Sequence, residues 1–179
     1  MKKRIIIILL LLSSYVFSEN ILNYYLNNFD KLNKAELNKI LNTTESSKNG
    51  LNKIIHGSVL VKKAKHEWFL PLKYYYLYSG MLEMKEVVKE NFDNLIYRYI
   101  RGKTAFEILS YDFARKIFIN DFEYIYIRVN DDFKNKFDFG EVLYKLYRIY
   151  EFDNKEKAKS LLKKLKEYPN YYRLIYYEK

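Results

Sequence analysis

Two apolar stripes at helical spacing, one closely following the other, constrain this chain more than any other feature of its sequence. Leu143, Leu146, Tyr147 and Tyr150 stand at i, i+3, i+4 and i+7, behind a start signal formed by Asp138 and, three residues on, Glu141. Ala158, Leu161, Leu162 and Leu165 then repeat the period. A stripe of this kind is one buried face of a helix, and two such faces need each other. Asp153 is the expected N-cap of the second helix, with Glu156 completing a capping box and Pro169 marking the stop. Lys157, Lys159, Lys163, Lys164 and Lys166 fall mostly off the stripe, where their stems can cover apolar surface while the ammonium groups stay in water. The short gap between the patterns predicts an antiparallel αα-hairpin.

The rest of the chain carries the same period. Residues 19–42 read as two short helical pieces joined near Asn33, with Ile21, Tyr24, Leu26, Phe29 and Leu32, then Leu37, Ile40 and Leu41, as their apolar positions. "NTTESSKNG" (42–50) reads as a connection. A helix is expected from Leu51, and Gly57 inside it either weakens that helix or marks a close packing point. Pro71 suits a first helical turn, and Tyr74, Leu77, Tyr78, Met81, Met84 and Val88 form the stripe behind it, with Gly80 the natural place for another helix to cross. Residues 123–129 alternate like a strand, but Phe113, Ile117, Asn120 and Tyr124 suit a helix from Asp112, and helix is the expectation. "KNKFDFGE" reads as loop. Only 5 glycines and 2 prolines argue against a sandwich or barrel built on many tight turns. The predicted fold class is therefore all-α.

The hairpin resembles a tetratricopeptide repeat. Ala158 matches the small alanine that lets paired helices approach in that family, Leu162 and Leu165 match the apolar positions after it, and Pro169 lies about one residue early. Leu146 and Ile149 or Tyr150 stand where the family often has a glycine-tyrosine pair. A helix, "NFDN" and then "LIYRYIRG" resemble a second, more degenerate unit, with Phe92 in the place of proline. From about Leu51 to Pro169 the chain is also similar to uncharacterised secreted bacterial helical-repeat proteins. The resemblance implies antiparallel hairpins stacked as a short repeat array that binds a protein or peptide, and it implies no activity.

Residues 1–18 read as a signal peptide: Lys2, Lys3 and Arg4, a short apolar core, then Val16 and Ser18 before a cleavage site at Glu19. Residues 19–179 are then a single exported domain, secreted or periplasmic. The absence of cysteine excludes disulfides and a lipid-linked cysteine. A net charge of +10 supports a second reading, a basic envelope-associated protein that binds anionic lipid or polymer. The 20 tyrosines and 12 phenylalanines are spread along the chain, which suits core and boundary positions better than a stacking surface, so no nucleic-acid partner is expected.

Searches for chemistry find little. His56 and His66 stand in no metal-ligand pattern, and "NDDFKNKFDFGE" (130–141) breaks calcium-loop spacing at Phe133 and Lys134. Glu83 and Glu86 read as carboxylates on a helix flank. No catalytic, cofactor or metal residue is assigned, and no cofactor is expected. Arg98 and Arg101 are the most informative polar pair: they share a helix edge between tyrosines, and either hold an acidic partner or tie helices through Asp93, Glu107 or Asp112.

Overall fold

The computed structural model of the protein describes residues 20–177; the expected leader and its Ser18/Glu19 junction lie outside them. The fold is all-α. Among the described residues there is helix at 20–27 (α1), then α2 (Lys34–Thr44), α3 (Gly50–Lys65), α4 (Leu70–Glu90), α5 (Leu95–Phe106), α6 (Asp112–Arg128), α7 (Asp131–Lys136), α8 (Phe139–Asp153), α9 (Lys155–Leu165) and α10 (Pro169–Tyr177). Contacts gather these helices into two compact units that meet in sequence at Phe92 and Asp93.

In the first unit, α2 packs on α3 and α3 on α4. The join near Asn33 is a complete capping box: Asn33 accepts from Ala35 and Glu36 N–H, and the Glu36 carboxylate accepts from Asn33 N–H at 2.9 Å. Asn49 caps α3 in the same manner. The α3–α4 pair is antiparallel, because its contacts run in opposite directions along the two helices: His56 meets Glu83, Gly57 meets Gly80, and Lys63 covers Tyr76. The crossing point is Gly57 against Gly80. A Cβ on Gly57 would stand 2.8 Å from the Gly80 carbonyl oxygen, and one on Gly80 would strike the Gly57 carbonyl oxygen. Both glycines are helical for closeness of approach, at the usual propensity cost of about 1 kcal/mol each. The core beneath is Ile54, Ile55, Val59, Leu77, Met84 and Val88, with Tyr25 fully buried and its hydroxyl bonded to Ser58 Oγ at 2.6 Å.

In the second unit, α5 packs on α6, α6 on α8, α8 on α9, and α10 on both α8 and α9. The predicted α8–α9 hairpin is present: Leu143, Leu146, Tyr147 and Tyr150 are buried, as are Ala158, Leu161 and Leu165. Its turn differs from expectation. Helix α8 runs through Asp153, and Asn154 is the N-cap of α9, accepting from Lys157 N–H at 3.0 Å. Asp153 instead meets Arg115 of α6. Pro169 opens α10 rather than only closing α9, since a missing N–H costs nothing in a first turn. The stretch before α8 is not all loop. Asn130 accepts from Phe133 N–H at 2.9 Å and opens α7, whose Phe133 is buried edge-on against Tyr99.

Several predicted stripes have the right period and the wrong phase. In α1 the buried residues are Leu22 and Tyr25, whereas Tyr24 is exposed; Phe29 and Leu32, just beyond it, are buried as expected. In α6 they are Ala114, Phe118, Asp121, Phe122 and Ile125, not the face of Phe113 and Asn120. In α4, Tyr74 and Tyr78 face outward.

Candidate functional site

Three consecutive turns of α5 carry the polar residues of interest, and they point two ways. Asn94 caps the helix, accepting from Ile96 and Tyr97 N–H, and so sets the phase of everything after it. Arg98 and Arg101 face α6, where one carboxylate receives both. Asp121 Oδ1 accepts from Arg98 Nη1 at 2.8 Å and from Arg101 Nη2 at 2.7 Å, while Oδ2 accepts from Arg101 Nε at 2.7 Å. The Arg101 contact is bidentate, the geometry that a guanidinium fork imposes on a carboxylate. Arg98 also lies over the Tyr124 ring, 3.9 Å from its centroid, and the Tyr124 hydroxyl donates to Asp93.

Asp121 is fully buried. Burial pushes its carboxyl above the ordinary value, against the opposing hydrogen bonds and charges of Arg101 and Arg98. The carboxylate form of Asp121 is the one that balances its two guanidinium partners. The arginines are therefore brought together, as the shared helix edge implied, but their carboxylate is Asp121 on the next helix rather than Asp93, Glu107 or Asp112.

A second ionic cluster faces α8. Glu141 accepts from Lys103 Nζ at 2.7 and 2.9 Å and from Lys145 Nζ at 2.8 Å, and the Tyr99 hydroxyl donates to it. Burial raises the Glu141 carboxyl, but Lys145 and Lys103 together outweigh it and hold the group down to about 2. Burial first, and then the Glu141 charge, push the Tyr99 hydroxyl far above its ordinary range. Asp138 caps α8 by accepting from Glu141 N–H at 3.1 Å, while the Glu141 side chain turns inward to its lysines.

The surface of this unit offers an open groove of about 380 Å³ between α6 and the α8–α9 hairpin. Tyr126, Ile127 and Leu161 give it apolar walls, and Glu123 and Lys157 stand at its polar side. Glu123 accepts from Lys157 Nζ, and from the Tyr150 hydroxyl at 2.6 Å. Burial raises the Glu123 carboxyl and the Lys157 and Tyr150 bonds outweigh it, so it lies below its ordinary value. Lys164 covers the Tyr126 ring at 4.4 Å. Ile127, 73% exposed, is the large apolar side chain in the groove that the fold leaves most open.

The other residues weighed from sequence stay apart. His56 Nδ1 lies 2.7 Å from Glu83 Oε2 across α3 and α4, His66 is the exposed C-cap of α3, and Glu86 is exposed on α4. Asp131 and Asp132 form the first turn of α7. Among the described residues no group of three or more His, Cys, Asp or Glu gathers as metal ligands would. None of the described helices is long and apolar enough to cross a membrane. Asp121 and Lys103 carry no assignment from sequence, and Glu141, read there only as part of a helix start, is also the carboxylate of an ionic cluster. Asp121 had a signal, a lone acid three and four residues from the apolar Phe118 and Ile125 of one helix face.

Comparison with protein-family models, with curated proteins and with solved structures finds no match to this chain.

Proposed function

We propose that this chain is a non-enzymatic interaction module, exported by its leader, whose helical hairpins form a short TPR-like array and whose second unit holds a protein or peptide segment in the α6/α8/α9 groove. The observation that carries the proposal is the groove itself. Its apolar wall is left open beside a satisfied Glu123–Lys157–Tyr150 cluster, a combination that suits an apolar anchor flanked by polar contacts. The repeat resemblance supports the same reading, since Ala158 is buried at the hairpin. The strongest polar clusters of the unit, around Asp121 and Glu141, have their charges turned toward one another, which suits a role in holding helices.

The test is a photoreactive side chain placed at Ile127 in the full chain, in cells that produce it, with Lys159 on the exposed side of α9 as the control position. A discrete adduct from position 127, absent from position 159 and lost when Ser160→Arg is added at the exposed rim of the groove, is the expected result. The same adducts from both positions would refute the groove as a binding site.

A further inference from the structure

The turn between α3 and α4 puts three large apolar residues in a row into solvent: Trp68 is 86% exposed, Phe69 50% and Leu70 61%. The Trp68 and Phe69 rings touch, 6.0 Å between centroids, and form a single knob. Glu67 Oε1 accepts from Phe69 N–H at 3.2 Å and holds the turn in this form. Farther from the tip come tyrosines on the outer face of α4, where Tyr74 stacks on Tyr78 at 6.2 Å. Lysines stand among them. Lys63 and Lys73 flank the knob on its two helices, with the Lys63 ammonium 4.7 Å from the Tyr76 ring centroid.

Charge is segregated along this hairpin. Helix α3 has no carboxylate, and the first in α4 is Glu83, more than three turns beyond the knob. Glu67 is the lone acid from Lys62 to Lys73, a stretch in which Lys63, Lys65 and Lys73 reach solvent while Lys62 is buried over the Phe29 ring. Asp30 and Glu36, in the neighbouring α1–α2 region, are matched by Lys31 and Lys34.

An apolar tip followed by a collar of tyrosine and lysine repeats the order of polarity through the interface of an anionic bilayer. We infer that the α3–α4 turn is a membrane-docking site, in which Trp68, Phe69 and Leu70 enter the interface of an anionic lipid surface and Lys63 and Lys73 meet its headgroups. A projecting knob suits a deformable surface better than a preformed protein pocket. Two copies of this tip would bring like charges together, which disfavours self-association through it. The site is independent of the groove in the second unit, so the failure of either leaves the other standing.

Trp68 is the single tryptophan of the chain, so tryptophan emission, excited beyond the absorption of the 20 tyrosines, reports this turn. The full chain is mixed with phosphatidylcholine vesicles, or with vesicles in which part of the lipid is phosphatidylglycerol, each with and without brominated acyl chains. The expected result is a blue shift of Trp68 emission and loss of most of it to bromine on the anionic vesicles, with little change on the zwitterionic ones. Lys63→Glu with Lys73→Glu should remove the effect, as should Phe69→Ser with Leu70→Ser, each with far-ultraviolet helix retained. An unshifted, unquenched Trp68 on anionic vesicles would overturn the inference, and so would equal quenching on both lipids. A blue shift that grows with protein concentration without vesicles would assign the turn to a second copy instead. An equal shift with soluble polyphosphate would make the surface a polyanion site and also overturn it.

Discussion

Asp121 is the residue on which the second unit depends most. It is fully buried and holds two guanidiniums, so removing its charge leaves two cations without a counter-ion rather than simply deleting a contact. Asp121→Asn should therefore cost about 3–5 kcal/mol, the range for breaking a buried ion pair from one side. Urea denaturation followed by circular dichroism measures it, and a change within roughly 0.5 kcal/mol, the range of an ordinary surface substitution, would mean that the arginines are not held this way. Glu141 gives a pH signature. Its carboxyl is held down to about 2 in the fold, below the ordinary value of 4.5, so its ionised form stabilises the native state above that ordinary value. That stabilisation, about 3 kcal/mol at 1.36 kcal/mol per unit, should be lost as pH falls from about 4.5 toward 2. Glu141→Gln should remove this part of the acid dependence, as read from urea midpoints across that range.

Packing between elements sets the next predictions. Ala158 is buried between paired helices, so Ala158→Leu should overpack the α8–α9 hairpin at a cost of about 1–3 kcal/mol. Leu161→Ala should cost about 2–5 kcal/mol, since Leu161 is core, whereas Leu162 is only half-buried and its truncation should cost clearly less. Chemical denaturation of the three variants orders them, and a Leu162 cost above that of Leu161 would contradict the packing. At the α3–α4 crossing two effects oppose. Gly80→Ala gains about 1 kcal/mol of helix propensity, but its Cβ meets the Gly57 carbonyl, a backbone atom that cannot swing aside. Overpacking should win, with a net loss in thermal stability of the first unit.

The contrast between these helices also shows what a sequence of this composition displays and what it hides. Period was legible: all the long stripes are helices, and Gly57, Gly80, Asn33 and Asp138 perform the tasks their positions suggested. Phase was less legible. Tyr24 and Tyr25 are adjacent and equally apolar by type, yet only Tyr25 finds a buried hydroxyl partner in Ser58, so tertiary pairing rather than spacing decides which one turns inward. Tyr74 and Tyr78 face outward for the same reason, as Leu77, Met81 and Met84 fill the space beneath α4. Of the candidate polar residues, the arginine pair was visible as a shared edge. Its partner on another helix required the fold.

For the molecule as a whole, a net charge of +10 does not mean that its basic residues are all surface residues. Arg98, Arg101 and Lys103 are buried on one helix, engaged with Asp121 and Glu141 of the same unit. The apolar groove and the Trp68 turn are left to the outside, one in each unit. That division between charged ties inside and apolar contacts outside is the central claim. Amide hydrogen exchange of Asp121→Asn against the wild-type chain tests it most directly. Faster exchange across α5 and α6 is the predicted result, because the charge that joins them is gone, with a smaller change in α8, whose tie to α5 runs through Glu141 and Lys103. Unchanged protection in α5 and α6 would show that Arg98 and Arg101 do not hold the unit together through Asp121.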